Sequence, residues 1–399
     1  MRRKVTLKEV IAFVKLSLFP TWCWPQPQDA TQFKMLCVKL YHCLSIIMDM
    51  SVAVPLMYTI PHYLDEPEML VSVVIMTSSF IHGSFNFLFH IINHHHIRNV
   101  TFELLHFSGL MKPHEEIVVQ RHIDKCVMYH GVSIFIYYSV TFFASAMPLL
   151  AQQQSFPMFA EYPFNTSYQP LFTIIYIQQF AAGILVSAQL CTNVLMALLL
   201  WFATARFEIF IEDLKKVTNA YQLFECIKSH QELLKYAEEV AISARPFALS
   251  TLYCSTVCLI CTCLFFLTDQ PIAKLLHFFT LSLAALSEVY MYSLPAENLM
   301  HTVNQKCPRA KSKNQNYRKY ESAFKSKSVA ETAFHMLENN HFIELWKCLQ
   351  IVIMRSQKPI EVTIPCLMPA LSLNSFTTYL STILSYFTTL RVVMDDDKS

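Results

Sequence analysis

The chain has 399 residues, 54% hydrophobic and 15% charged, with a net formal charge of +2 and a mean hydropathy of +0.34. That balance excludes an ordinary soluble domain. With only four glycines there is little loop able to cradle phosphate, so nucleotide and nucleic-acid chemistry are set aside as well.

From the amino end, residues 1–15 are basic but lack a short apolar run before a small-residue cleavage site, so no cleaved signal peptide is expected. A membrane span needs about twenty mostly apolar residues. Six segments meet that need: 38–61, 69–92, 128–151, 171–203, 247–268 and 275–294. A seventh, 371–393, is rich in Ser and Thr and carries no charge until Arg391, which suits a wall facing water or other helices better than one facing lipid. The predicted fold is all-α, a single seven-transmembrane-helix membrane domain.

Lys and Arg orient it. Six precede the first span, four lie between the second and third, six between the fourth and fifth, and eleven between the sixth and seventh. The opposite loops hold almost none, so the positive-inside rule makes the N-terminus cytoplasmic and the C-terminus extracellular. Two sequons have opposite expected fates. Asn165-Thr-Ser lies in the second outer loop and is the expected glycosylation site, whereas Asn99-Val-Thr lies in the first inner loop and is expected to stay bare.

Residues 204–246 are charged and helically patterned, as in Glu208-Ile-Phe-Ile-Glu-Asp-Leu, so the fourth span is expected to continue into the cytoplasm and return into the fifth. With 329–358 they read as a cytoplasmic helical assembly region. Between these parts, 306–328 holds eight basic residues and one acid, Glu321, and reads as a basic disordered insertion, either solvated or against anionic lipid. Of thirteen cysteines, Cys43, Cys191, Cys254, Cys258, Cys261 and Cys263 fall inside apolar segments and none lies in a predicted extracellular loop, so free thiols are expected; Cys254, Cys258 and Cys261 share a helix face and read as small packing residues.

His94, His95 and His96 are consecutive and point different ways on a helix, which disfavours a metal site and favours a polar collar. Asp49 is an intramembrane acid and a functional suspect. His42 and Glu288 lie in spans without a nucleophile or second ligand. No catalytic set, metal or cofactor is expected, and the chain does not read as an enzyme.

The stretch Met354-Arg-Ser-Gln-Lys-Pro-Ile-Glu-Val, then Leu371-Ser-Leu-Asn-Ser-Phe and Ser385-Tyr-Phe-Thr-Thr-Leu-Arg, closely resembles the end of insect odorant receptors. The His230-Gln-Glu-Leu-Leu-Lys-Tyr-Ala-Glu-Glu segment, Trp24-Pro, the length and the inverted topology resemble that family too. Two features depart from its pattern: the long 306–328 insertion and Pro365. The chain lacks the large inner-loop insertion of the family's shared co-receptor, so the resemblance is to a variable, odour-tuning subunit.

The resemblance implies a heterotetramer with the insect odorant co-receptor in the plasma membrane of a sensory dendrite. It also implies a non-selective cation pore lined by the seventh helix. Counted from Ser385, the pore and gate positions are Thr389, Val392 and Val393, with Asp395, Asp396 and Asp397 either ringing the outer mouth or forming a solvated tail. Trp346, Arg355 and Lys358 anchor the inner end of that helix, by subunit contacts or at the membrane edge. The implied ligand, a small, neutral, largely apolar odorant or pheromone, would bind in the outer half of the bundle. Met76, Ser79, Phe80, Tyr138, Thr141, Phe142, Ile175, Gln179, Phe278 and Leu281 recur there at helical spacing, a pattern ordinary helix packing also produces.

Other readings are a gustatory-type receptor, a G-protein-signalling seven-helix receptor and a small-molecule transporter. Charge distribution disfavours the second, and the lack of internal repeats disfavours the third.

Overall fold

A computed structural model describes residues 5–27, 29–150, 155–217, 220–266, 272–304, 362–363 and 370–396. Regions 306–328 and 329–358, and with them Trp346, Arg355 and Lys358, lie outside the described residues.

The described residues form nine α-helices: α1 Leu7–Ser17, α2 Gln32–Thr59, α3 Pro67–Ile92, α4 His94–Leu110, α5 Pro113–Leu150, α6 Leu171–Leu214, α7 Ala220–Phe266, α8 Ile272–Asn304 and α9 Leu373–Asp396. Local chemistry sets many of the starts. Thr6 and Glu9 form a reciprocal capping box on α1, and Thr31 caps α2 through the Lys34 amide. Proline opens α3 and α5, where its missing N–H costs nothing. α9 is capped twice, by the Ser372 hydroxyl on the Ser375 amide at 3.1 Å and by Glu297 of α8 on the Leu373 amide at 3.2 Å.

Among the described residues, five helices are long and apolar enough to cross a membrane. At 1.5 Å per residue, α6 is about 66 Å long and α7 about 70 Å, roughly twice a 30 Å hydrocarbon core. Each therefore runs well past the membrane.

α6 is the central column. It packs against α2, α3, α4, α5, α7 and α8, and almost every residue from Ala182 to Ala205 is buried whichever way it points. A helix apolar on all sides is stable only when surrounded. α9 stands outside it, on α7 and α8 alone among the helices it packs against substantially.

The segment before the first span does more than lead into it. Leu7, Val10, Ile11 and Val14 bury one face of α1 against α5 and α6. Gln120 donates to the Val5 carbonyl, and 18 residues further along α5 the Tyr138 hydroxyl donates to the Ser17 carbonyl at 2.6 Å. The segment thus rises about 27 Å alongside α5. It ends in a turn where Leu18 is fully buried and Trp22 takes a left-handed φ of 55°, its ring edge-on to Tyr41.

Candidate functional site

At the end of the bundle where α2 finishes and α6 begins, residues 155–163 lie over α2 and α6 and are tied to both. Gln179, fully buried on α6, accepts from the Met158 amide at 3.0 Å and donates to the Tyr162 hydroxyl at 3.1 Å. The Glu161 amide donates to Thr59 Oγ1 at 2.8 Å, and its carboxylate meets His62 at 2.9 Å. Beneath this cap, Val52, Leu56, Phe80, Ala182 and Val186 form an apolar cluster that Met76 joins.

The ten residues singled out from the sequence divide among several places. Met76, Phe80 and Gln179 meet at the capped cluster, with Ile175 buried one turn above Gln179 on α6. Phe278 packs against Phe265 with ring centroids 4.1 Å apart and, with Val71, Ile75 and Leu281, forms a second cluster between α3, α7 and α8. Ser79 bonds back to the Ile75 carbonyl between the two. Thr141 joins α5 to α6 through the Gly183 carbonyl and the Ser187 hydroxyl. Phe142 is 56% exposed beside Phe180, and Tyr138 is engaged by Ser17.

A polar belt crosses the bundle below the clusters. Asp49 on α2 accepts from Gln189 on α6 at 2.6 Å, and the close approach of α3 there depends on Gly83. Asn86 on α3 donates to Asn193 Oδ1 on α6 at 3.2 Å and accepts from Ser250 on α7 at 2.6 Å; Tyr292 on α8 donates to the same Asn193 oxygen at 2.9 Å. His82 Nε2 sits 3.3 Å from both Asn86 and Thr251, and its Nδ1 is 4.0 Å from Glu288. Hydrogen bonds between helices in lipid contribute about 0.6 kcal/mol each. The belt thus specifies register more than it adds stability.

From α7 and α8 the contacts continue to α9: Thr256 pairs with the Tyr379 hydroxyl at 3.1 Å, and Tyr290 packs on Phe376. That side of α9 holds Phe376, Tyr379 and Ile383 on the core. The other side is open, and Thr377, Thr378, Ser381, Thr382, Ser385 and Tyr386 lie exposed along it. Thr389 and Val392, two of the predicted pore positions, are exposed on α9, and Val393 follows on the same helix.

Past the membrane, Arg206 on α6 lies 4.8 Å from the Phe107 ring and 5.8 Å from those of Phe202 and Tyr236, and pairs with Glu103 at 3.0 Å. The His122 ring, 3.1 Å from Glu208, holds that carboxyl below its ordinary range, helped by Arg121 and Lys125. His230 stacks on Phe210, and burial pushes its imidazole down to about 4.

A family model described as 7tm Odorant receptor matches residues 66–305. The chain belongs to the odorant receptor family. Its structure is similar to that of the insect olfactory receptor OR5 from Machilis hrabei, with a TM-score of 0.71 at 16% identity, covering 96% of this chain and 98% of that one. The same receptor in complex with eugenol gives 0.68 at 16% identity, covering 97% and 99%. At that identity the likeness shows the fold, a seven-transmembrane helical bundle. No curated protein matches the sequence.

For an odorant receptor, the element the sequence reading missed is the buried amino-terminal segment. Its signal was available in the 7, 10, 11, 14 spacing of α1. The partner of Asp49 was not readable in this way, because Gln189 lies 140 positions away. Exposed Asn165, whose side chain accepts from the Ser167 amide, is sterically open to a glycan.

Proposed function

We propose that this odorant-receptor-family protein is an odour-detecting subunit of a non-selective cation channel, assembled with the insect co-receptor as a heterotetramer in the dendritic plasma membrane. The N-terminus is cytoplasmic and the C-terminus extracellular. A small, neutral, largely apolar odorant or pheromone binds among the outer halves of α3, α5, α6 and α8. Met76, Ser79, Phe80, Thr141, Ile175, Gln179, Phe278 and Leu281 border that region, with Tyr138 and Phe142 toward its margins.

The observation that carries this reading is the two-sidedness of α9. Its 24 residues span about 36 Å, enough to cross the bilayer. One face packs on α7 and α8, and the other presents a row of hydroxyls. A hydroxyl row facing hydrocarbon gains nothing, whereas four such faces around an axis line a wetted path. Thr389, Val392 and Val393 continue the helix to the outer end, where apolar side chains drawn into a ring close the path by dewetting. Ligand binding opens it only if the open arrangement binds more tightly. The packing of Tyr379 and Phe376 on α7 and α8 is the connection through which that preference acts.

The test is whole-cell current under odour pulses in cells expressing the chain with and without an insect co-receptor, dialysed with a non-hydrolysable GDP analogue. A fast cation current that requires the co-receptor and ignores the analogue is expected. A response abolished by the analogue would overturn the proposal.

A further inference from the structure

Past the membrane, where α5 begins and α6 ends, three metal-ligating side chains converge. His114 and Glu115 stand in the first turn of α5 and Asp213 in the last turn of α6, and one ligand atom of each lies within 4.8 Å of the other two. His114 Nε2 is 3.7 Å from Asp213 Oδ1, too far for a hydrogen bond. Neighbours on a helix ordinarily diverge by about 100°. Here Glu115 folds back to cap its own helix, its Oε2 accepting from the Lys112 amide at 2.8 Å, and that brings the carboxylate round to His114.

Two features separate this cluster from an ordinary surface ion-pair network. Glu115 is only 9% exposed, and among the described residues its carboxylate forms no ion pair and its one hydrogen bond is the cap, which leaves Oε1 over. A buried carboxylate without a counter-ion is costly. Asp213 does have a lysine, Lys216 at 3.2 Å, but that side chain is 60% exposed and its hold is weak. The second feature is position: the cluster lies at the C-terminal end of α6, where the unpaired carbonyls of the last turn favour a cation.

We propose that His114, Glu115 and Asp213 bind a divalent transition ion of the zinc type, which pins the start of α5 to the end of α6. An imidazole nitrogen with two carboxylate oxygens suits zinc, whereas magnesium and calcium prefer oxygen alone. Around a tetrahedral zinc with bonds of about 2.0–2.1 Å, ligand atoms sit about 3.4 Å apart. Atoms now up to 4.8 Å apart therefore have to draw in by about 1.4 Å at most. His114 and Asp213 are each 43% exposed, so both have room to move. Water completes the fourth position, and Lys216 gives up Asp213 as the ion enters. The site stands apart from the channel reading, since it needs neither the odorant nor the co-receptor.

The experiment uses the full chain purified in detergent, with free zinc set by chelator buffers and melting followed by fluorescence-detected size exclusion. Bound zinc is counted in parallel by elemental mass spectrometry. Wild type is expected to melt higher with zinc than with magnesium or chelator alone. Losing an outer partner of a metal ligand costs about 10- to 100-fold in affinity, so losing a ligand should raise the zinc concentration needed by at least about 100-fold. His114→Ala, Asp213→Asn and Glu115→Gln test this, the last keeping an oxygen for the Lys112 amide. Lys216→Met removes the competitor and is expected to lower the zinc concentration needed by about 1.5- to 5-fold; it also serves if a ligand variant does not fold. Zinc binding and stabilisation that persist unchanged in the ligand variants, or are absent from wild type, overturn the inference, as does equal stabilisation by magnesium. An unchanged or weaker zinc response in Lys216→Met does so too, because it reduces the cluster to a surface ion-pair network.

Discussion

Replacing Gly83 with alanine tests the belt at its tightest point. A Cβ there would lie 2.5 Å from Gln189 Oε1 and 3.2 and 3.3 Å from the two Val186 methyls. Contacts of this kind are comfortable near about 3.5 Å, so Gln189 must retreat by roughly 1 Å. Gln189 is fully buried and its amide holds Asp49 at 2.6 Å, so retreat strains or breaks that bond. Overpacking costs about 1–3 kcal/mol and the weakened hydrogen bond about 1 more, against a helix gain of about 0.5–1 kcal/mol from removing glycine. The expected net loss is about 1–3 kcal/mol, an apparent melting temperature lower by about 2–6 °C in fluorescence-detected size-exclusion of detergent-solubilised protein. Gly131→Ala is the control, because its Cβ meets nothing within 4 Å and should be neutral or slightly stabilising. If Gly83→Ala melts with or above Gly131→Ala, the close packing of α3 on Gln189 is wrong.

Arg206→Lys keeps the charge but loses the planar group stacked on Phe107 and flanked by Phe202 and Tyr236, so a loss of about 1–2 kcal/mol is expected in the same assay. Glu103→Gln, at a 43% exposed partner, should cost much less, and the opposite ranking would refute the aromatic account. His230 is held neutral by burial, with its imidazole pushed from 6.5 to about 4, so the unfolded chain binds more protons in that window. Its contribution is intact above pH 6.5 and lost as pH falls toward 4, about 2 kcal/mol between pH 7 and 5, and His230→Gln should flatten that part of the stability profile. On α9, Thr378→Leu and Ser381→Leu remove hydroxyls from the exposed face without touching Tyr379. They should reduce unitary current on the order of twofold or more, whereas unchanged conductance would remove α9 from the pore wall.

Membrane residence, the helical class and the odd character of the last helix were all legible in one dimension. Each depends on local composition: a run such as 171–203 without charge has no stable place in water, and a Ser- and Thr-rich run ending at Arg391 is a poor lipid-facing surface wherever it is packed. The burial of α1 was equally local, in Leu7, Val10, Ile11 and Val14, but a stretch of 11 residues is too short to attract notice by span length. Candidate ligand residues were harder. Helical spacing shows that Tyr138 and Thr141 share a face of α5, yet only packing reveals that one is engaged by Ser17 and the other by Gly183 and Ser187.

Hydropathy and helical period thus determined, from the sequence alone, the seven-helix membrane architecture. Pairings such as Asp49 with Gln189, Asn86 with Asn193 and Ser250, and Glu288 with His82 were decided only in three dimensions. The physical reason is that spans and helix faces follow from nearest-neighbour properties of the chain. Which buried polar group satisfies which depends on how far each helix is rotated and shifted against the others, and those rotations are set by the packing of all the helices together.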